Sequence, residues 1–297
     1  MKTLKCIQLL VVQLSLFHYC YHNADNSAAS NGVIGFNKRK GDCIMKKQTV
    51  ISAKHVKKAF GKGENTQVIY SDLSIDIYKG DFTVIMGSSG AGKSTLMYSL
   101  SGMDKPDVGE IHFDGTDITK LNNDKLAVFR RKQCGFVFQQ IYLIDKMNLM
   151  DNVITAGVLT SKDREDIKNR AKELFSLVNI PEKTWRKTSS QISGGEAQRA
   201  GIVRAVINSP NVLFADEPTG ALNSANSGAV LDVFTSLHQK GQSIVMVTHD
   251  KKSALRGNRI IYIKDGKISG ECDLGKFEQD NTERTEKLDK FIKEMGW

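Results

Sequence analysis

Residues 82–100 read FTVIMGSSGAGKSTLMYSL, and this stretch decides the fold of the chain. It begins with a short apolar run, which predicts a buried strand. A loop with three glycines in six residues follows, and an apolar pattern after Lys93 predicts a helix. A strand, a tight glycine-rich loop and a helix in this order are typical of a parallel α/β unit.

The loop itself matches the pattern G-x-x-x-x-G-K-[ST], which cradles a chain of phosphates with backbone N–H groups. Glycine accepts the dihedral angles of the tight turn, and the following helix directs its N-terminus at the anion. The pattern assigns Lys93 to the β- and γ-phosphates and the Ser94 hydroxyl to Mg²⁺. A chance match is the alternative, which the flanking strand and helix disfavour. The predicted nucleotide-binding residues of the loop are Gly87, Ser88, Ser89, Gly90, Ala91, Gly92, Lys93, Ser94 and Thr95.

A second apolar strand, residues 212–215, ends in two adjacent carboxylates, Asp216 and Glu217. Adjacent acids at the end of a buried strand need a partner, and Mg²⁺ is a natural one for Asp216. Glu217 is then available to polarise an attacking water as a general base. The alternative is a plain strand-end turn, since Pro218 and Gly220 follow, but such a turn does not require two acids.

Two further polar residues end apolar strands. His249 follows residues 244–248, and Gln139 follows residues 135–138. Alone, such a histidine is more often structural, and a lone glutamine is weakly specific. Beside the other motifs, His249 is placed to contact the γ-phosphate and to orient Glu217 or the attacking water. Gln139 is placed to sense Mg²⁺ and the water. The predicted catalytic residues are Lys93, Gln139, Glu217 and His249, and the predicted metal-site residues are Ser94, Gln139 and Asp216.

The rest of the chain alternates strand and helix patterns, which predicts a parallel α/β sheet. Residues 50–60, 67–77 and 257–268 show strand patterns, the last as a terminal hairpin. The mostly helical pattern of residues 148–208 predicts a helical insertion, and the densely charged residues 276–297 predict a surface helix.

The composition is ordinary for a globular protein of 297 residues, with 40% apolar and 25% charged residues. The formal net charge of +9 suits either a solvated basic surface, which we favour, or contact with nucleic acid or anionic lipid. The five cysteines are scattered, which argues against a disulfide framework and a zinc site. No run of 18 or more apolar residues exists, so no ordinary membrane-spanning helix is expected.

A second glycine-rich motif, ISGGEAQR at residues 192–199, closely resembles the LSGGQ-type signature of ABC ATPases. The phosphate loop, Gln139, this signature, the acidic strand end and His249 follow one another in the order that the family shows, over about residues 50–268. The resemblance implies an α/β fold of the P-loop NTPase type, with a parallel-sheet core, an antiparallel β part and a helical signature subdomain.

The resemblance also implies domain bounds. They are an ATPase domain at residues 49–268, with the helical subdomain at about 141–205, and a charged, helical C-terminal tail at 269–297. Residues 1–44 have no family counterpart. They include a weak signal-like segment, but we favour an unstructured or misannotated extension, with Met45 as the native start, because export would place an ATPase where ATP is scarce.

In this family, the signature of one subunit covers ATP that the phosphate loop of another subunit holds. The resemblance therefore implies a head-to-tail homodimer on ATP binding, with Ser193, Gly194, Gly195 and Glu196 on the nucleotide. Phe60 matches the aromatic residue that stacks on adenine, where the family usually has Tyr. The implied cofactors are ATP and Mg²⁺.

Finer features look like one branch of the family. The branch includes the ATPases of macrolide-export, lipoprotein-release and bacitracin-type peptide-resistance transporters, and the similar stretches are residues 117–119, 126–131, 135–139 and 215–222. This implies an ATP-hydrolysing subunit on the cytoplasmic face of the cell membrane, which energises a separate transmembrane permease that exports or detaches peptide antibiotics, lipoproteins or similar amphiphiles. Asn223 departs from the Asp that is usual in the D-loop and loses a charge there, and Ala197 replaces a commoner polar residue of the signature.

Two other functions fit parts of the sequence. A soluble ABC ATPase acting on nucleic acid or ribosomes would suit the basic charge, but the coiled coil, zinc cysteines or second ATPase domain usual in such proteins are not visible, and no direct nucleic-acid contact is expected. A module that holds ATP without hydrolysing it conflicts with the presence of Glu217 and His249. The apolar residues within 141–149 either dock a permease helix or pack the helical insertion, and the sequence leaves both open.

Overall fold

The structure, a computed structural model, describes residues 47–61 and 63–297, so the predictions made for residues 1–44 lie outside the described residues. The strands are β1 (Thr49–Phe60), β2 (Gln67–Tyr78), β3 (Phe82–Gly87), β4 (Val108–Phe113), β5 (Thr116–Asp117), β6 (Cys134–Phe138), β7 (Val212–Asp216), β8 (Ser243–Val247), β9 (Arg259–Lys264) and β10 (Lys267–Asp273). The helices are α1 (Lys93–Leu100), α2 (Asn123–Gln133), α3 (Leu149–Gly157), α4 (Arg164–Leu177), α5 (Glu182–Trp185), α6 (Gly194–Val206), α7 (Ser224–Gln239), α8 (Lys251–Ala254) and α9 (Thr282–Glu294).

The larger sheet has the strand order β10-β9-β3-β8-β7-β6 and is parallel apart from β10. Strands β3 and β8 are buried at every position, as their unbroken apolar runs predict. The pairing places Phe138, Asp216, Val247 and Ile85 in one row across the sheet. Because these strands are parallel, the residues that follow this row meet at one edge of the sheet, which confirms the predicted parallel α/β core.

A smaller antiparallel sheet, of order β2-β1-β4-β5, covers one face of the larger sheet. Its apolar residues, among them Ile51 and Phe113, share a core with Leu96 of α1 and Val247 of β8. Helix α1 therefore lies in the apolar layer between the two sheets, with its N-terminus at the edge that the row of strand ends defines. The predicted antiparallel part is present.

The other face of the larger sheet is covered by helices. Val203 of α6, Phe234 of α7 and Phe175 of α4 are buried in a second core with Met246 of β8. Helices α3 to α6 occupy the part of the chain where the sequence predicts a helical insertion. None of the helices in the described part of the chain is both long and apolar enough to cross a membrane.

The C-terminal part differs from the prediction of a hairpin ending at residue 268 and a charged tail from 269. Strand β10 continues to Asp273, and Leu274 is buried in the same core as the helices. Helix α9 also contributes Leu288 and Phe291 to that core, because these residues lie on one face, three positions apart. The dense charges of α9 occupy its outer face, so this helix completes the core and the folded unit extends beyond residue 268.

Arg284 attaches helix α9 to the body of the protein. Its side chain is only 5% exposed, and its guanidinium group donates to the carbonyl of Leu255 at 2.9 Å, to that of Gly257, and to that of Leu274 at 2.7 Å. A buried guanidinium group needs such acceptors, and the carbonyls in turn need a donor. Helix α8 begins two residues after His249 and ends just before Leu255. The hydrogen bond from Arg284 to Leu255 therefore attaches this segment to the C-terminal helix.

We expect Arg284→Ala to destabilise the fold by about 2–4 kcal/mol, because it leaves several buried carbonyls without a donor. Chemical denaturation gives the free energy of unfolding. The control is Lys287→Ala on the exposed face of the same helix, which should change that free energy by less than about 0.5 kcal/mol. Equal effects of the two substitutions would contradict the anchoring role of Arg284.

Candidate nucleotide site

The phosphate loop connects the end of β3 to the start of α1. Gly87 has φ of 148° and lies so close to the backbone of β9 that a Cβ there would be 2.0 Å from the Ile263 carbonyl oxygen. Gly92, the residue before α1, has φ of 89°, in the left-handed region that favours glycine. No side chain caps the N-terminus of α1, so its first N–H groups face the loop and are available to an anion.

Lys93 places its ammonium group inside the loop. The Nζ atom donates to the carbonyl oxygens of Gly87 at 2.9 Å and of Ser88 at 2.8 Å. Burial lowers the pKa of Lys93, while the charges of Glu217 and Asp216 act in the opposite direction. The loop lysine therefore lies within electrostatic range of the two acids that end β7.

Ser94 and Asp216 meet at the strand edge. The Ser94 hydroxyl donates to Asp216 Oδ1 at 2.9 Å, and the Tyr98 hydroxyl donates to Asp216 Oδ2 at 2.7 Å. The pKa of Tyr98 is raised above its usual value, mainly by burial and to a smaller extent by the hydrogen bond to Asp216. Tyr98 therefore stays a neutral donor to the carboxylate at ordinary pH.

The Ser94 and Asp216 oxygens fit a magnesium ion. Magnesium prefers hard oxygen ligands and usually takes one or two carboxylates together with substrate phosphates and water. A hydroxyl and a carboxylate oxygen already 2.9 Å apart at the mouth of a phosphate loop supply that donor set. The Gln139 amide is not part of this pair in the structure. The Gln139 side chain instead lies against Gly220, since a Cβ added to Gly220 would be 3.0 Å from Gln139 Nε2. It therefore packs on the turn after Glu217.

Glu217 is held by three donors from the end of β8. Its carboxylate accepts from the Thr248 hydroxyl at 3.1 Å and from the His249 backbone N–H at 3.0 Å, and it lies 2.7 Å from His249 Nδ1. Its backbone has φ of 45°, an uncommon conformation for a residue other than glycine. The N–H of Glu217 nevertheless donates to the Val247 carbonyl at 2.9 Å, which holds this turn against β8. The structure thus brings Glu217 and His249 into direct contact.

The signature motif forms the start of α6. Ser193 is the N-cap residue, its hydroxyl accepts from the Glu196 N–H, and the Glu196 carboxylate accepts from the Ser193 N–H at 2.9 Å. This reciprocal capping, with the backbone N–H of Ser193 as the main cause, lowers the pKa of Glu196. Ser193 and Gly194 are exposed, and in the described residues no hydrogen bond joins them to the phosphate loop.

Phe60 ends β1 with its ring half exposed. The Lys58 ammonium group lies 5.2 Å from the centre of that ring, held by Asp104 at 2.7 Å and by the Lys105 carbonyl at 2.7 Å. A fixed cation at this ring orients the ring relative to the strand. The ring that the family resemblance assigns to adenine is therefore exposed, and its contact with the base stays a prediction.

Asn223, the departure from the usual aspartate, is the N-cap of α7. Its side-chain oxygen accepts from the Asn226 N–H at 3.0 Å. Asn226 in turn packs against the signature, because a Cβ on Gly195 would lie 2.6 Å from its side-chain oxygen. The amide therefore keeps the acceptor that capping requires, although the negative charge of an aspartate is lost.

Sequence reasoning missed Gln198, which joins three parts of the site. Gln198 is buried on α6, and its amide nitrogen donates to the Phe138 carbonyl at 3.0 Å and to the Pro218 carbonyl at 2.7 Å. It thereby ties the signature helix to the residue before Gln139 and to the turn after Glu217. The available signal was a polar residue on a helix face that is otherwise apolar and buried.

Comparisons with known proteins agree with this geometry. The family model described as "ABC transporter" matches residues 70–220. The chain is 39% identical over 219 residues to the macrolide export ATP-binding/permease protein MacB of Aggregatibacter actinomycetemcomitans, which covers 74% of this chain and 34% of that protein. The chain therefore spans about a third of the length of that relative.

Other matches extend over nearly the whole of the compared protein. The lipoprotein-releasing system ATP-binding protein LolD of Aquifex aeolicus is 40% identical over 222 residues, covering 75% of this chain and 97% of that protein. Among solved structures, the dimeric post-hydrolysis state of the ATP-binding cassette MJ0796, bound to ADP and Pi, superposes with a TM-score of 0.70 at 35% identity. It covers 76% of this chain and 100% of that chain.

We expect Gln198→Leu to lower the free energy of unfolding by about 1–3 kcal/mol, because the change keeps the volume and leaves two buried carbonyls without a donor. Chemical denaturation is the measurement. Gln239→Leu, at an exposed position of α7, is the matched control and should cost less than about 0.5 kcal/mol. A Gln198 variant as stable as this control would show that the amide does not join these segments.

Proposed function

This chain belongs to the ABC transporter family of ATPases, and we propose that it couples ATP hydrolysis to a separate membrane permease. The observation that carries the proposal is the arrangement at the ends of β7 and β8. Glu217 is held by Thr248 and His249, next to the Ser94–Asp216 pair and the phosphate loop. A general base, a metal site and a phosphate site at one edge of the sheet suit hydrolysis better than storage of nucleotide.

The roles of the residues follow from their positions. Lys93 and the N–H groups at the start of α1 bind the β- and γ-phosphates, and Phe60 stacks on the base. Mg²⁺, when bound through Ser94 and Asp216, neutralises charge on the phosphates. Glu217 accepts a proton from the attacking water, and His249 keeps the carboxylate in place and would contact the γ-phosphate.

The working unit that we propose is a head-to-tail homodimer. The exposed Ser193 and Gly194 at the N-terminus of α6 make a second anion-binding surface, and among residues 47–61 and 63–297 no hydrogen bond joins it to the phosphate loop. Facing the phosphate loop of a second copy would complete both sites. The dimeric cassette of MJ0796 bound to ADP and Pi supports this arrangement.

A cleft between the sheet and the helical insertion is the site that we propose for the permease. It has a volume of about 360 Å³ and is lined by α2, β6, α3 and α6, including Met103, Leu159 and the basic residues Arg130, Arg131 and Arg204. Arg204 also donates to the carbonyl oxygens of Ile141 and Tyr142, which places the segment after Gln139 beside this cleft.

The segment of residues 141–149 contains both packed and exposed apolar residues, which supports the proposal that part of it meets the permease. Leu143 packs against the core, and the buried Asn152 holds the segment through the Ile144 N–H at 2.7 Å. Tyr142, by contrast, is 63% exposed beside Phe138, with their ring centroids 5.7 Å apart. We therefore propose that the exposed tyrosine contacts an apolar helix of the permease, while the partly buried Leu143 mainly packs against the core.

A permease partner places this subunit at the cytoplasmic face of the cell membrane. The printed roles of the relatives, macrolide export for MacB and lipoprotein release for LolD, favour amphiphilic cargo. We propose peptide antibiotics, lipoproteins or similar amphiphiles as the transported class, with the permease setting the choice among them.

We expect Glu217→Gln to reduce the steady-state rate of ATP hydrolysis by at least about 100-fold, the usual contribution of a general base. ATP binding should persist, because the amide does not alter the phosphate loop, and the ATP-bound dimer should accumulate. Phosphate release and size-exclusion chromatography with Mg²⁺ and ATP measure the two effects. Glu283→Gln on the exposed face of α9 is the control, and unchanged hydrolysis by the Glu217 variant would remove the base from the proposal.

We expect Tyr142→Asp to weaken association with the permease by at least about tenfold, since it places a charge in an apolar contact. ATP hydrolysis by the isolated subunit should change little. The measurement is co-purification with the permease from gently solubilised membranes. Trp297→Asp alters a similarly exposed aromatic residue, 48% exposed at the chain end, and should leave association unchanged. Full recruitment of the Tyr142 variant would count against docking at this cleft.

A further inference from the structure

Tyr98 and Ser94 lie one turn apart on α1, four residues from each other, so their hydroxyls share one face of the helix. Both hydroxyls reach the Asp216 carboxylate, but each donates to a different oxygen. The distance from the hydroxyl is 2.9 Å for Ser94 to Oδ1 and 2.7 Å for Tyr98 to Oδ2. The pattern of the phosphate loop accounts for Ser94. It does not account for a phenol one turn further along the helix.

We infer that Tyr98 is a positioning residue that holds Asp216 in the orientation required for Mg²⁺ at the nucleotide site. This inference rests on the proposed function, because it concerns the same metal. It adds a residue outside the loop motif, the signature and the strand ends to the set on which metal binding depends.

The physical reason is that a carboxylate with one partner can still rotate about its terminal bond. Two donors on opposite oxygens fix the plane of the group. The Ser94 hydroxyl donates its proton to Asp216 Oδ1 and keeps the lone pairs of its own oxygen free for a metal. The bond from Tyr98 to Oδ2 fixes the other side of the carboxylate and keeps Oδ1 directed toward Ser94.

The chemistry of a phenol suits this role. A lysine or arginine in contact with Asp216 would add a positive charge beside the metal and oppose its binding. The Tyr98 hydroxyl donates a hydrogen bond without adding charge, and its ring packs against the core that surrounds α1. Outer partners that orient metal ligands in this way typically change metal affinity by about 10- to 100-fold when they are removed.

Removal of the hydroxyl alone separates positioning from packing. Tyr98→Phe keeps the ring, and therefore the core contacts, and deletes only the donor to Asp216. The matched control is Tyr70→Phe. The Tyr70 hydroxyl is bonded at 2.7 Å to Ser99 of the same helix, within the same core but away from Asp216.

The test measures the affinity for a fluorescent ADP analogue in EDTA and again at saturating Mg²⁺, using the full chain. The ratio of the two dissociation constants reports the coupling between metal and nucleotide. For Tyr98→Phe we expect the affinity in EDTA to equal that of the unchanged protein, and the gain on adding Mg²⁺ to be about tenfold smaller. Tyr70→Phe should show the full gain, and thermal unfolding of both variants verifies that they are folded.

The outcomes are distinguishable. An unchanged protein that binds the analogue without any gain from Mg²⁺ would overturn the proposed metal site, and with it the proposed hydrolysis. A full gain in the unchanged protein and in Tyr98→Phe would overturn the positioning role alone. Equal loss of affinity with and without Mg²⁺ would show that Tyr98 supports the loop by packing, which also overturns the inference.

Discussion

The hydrogen-bonded register of the parallel strands β6, β7, β8 and β3 is the constraint on which the rest of the structure depends. Their pairing places Phe138, Asp216, Val247 and Ile85 side by side. The residues beyond this row leave the sheet at one edge, and there the phosphate loop, the two acids and His249 meet. A shift of one strand by one residue would turn its inward side chains to the other face and separate these groups.

Two supports behind the sheet preserve that register at the site. Gln198 joins the end of β6 and the turn after β7 to the signature helix through two carbonyls. Arg284 joins the segment after β8 to the C-terminal helix. Both are buried polar side chains whose partners are backbone atoms, so each links segments by satisfying groups that burial would otherwise leave without a hydrogen bond.

Much of the site could be predicted because each motif is local. The strand–loop–helix order from β3 to α1 follows from a short apolar run, glycines at fixed spacing and an apolar pattern after Lys93. The acidic pair and His249 were recognisable because polar residues ended apolar strands. The dense charge of the C-terminal helix predicts a surface position. In the structure Leu288 and Phe291 form a narrow apolar stripe that is buried in the core. The sequence does not show which element covers that stripe.

The sequence by itself determined which residues are predicted to carry the phosphate and acid–base chemistry, since each motif is a short pattern whose spacing has a direct physical meaning. Only the tertiary structure decided which of these residues touch. Glu217 accepts hydrogen bonds from Thr248 and His249. Asp216 accepts hydrogen bonds from Ser94 and Tyr98. The Gln139 side chain packs against Gly220. These contacts join residues up to 122 positions apart in the chain. Their geometry depends on strand order and register, which local periodicity does not specify.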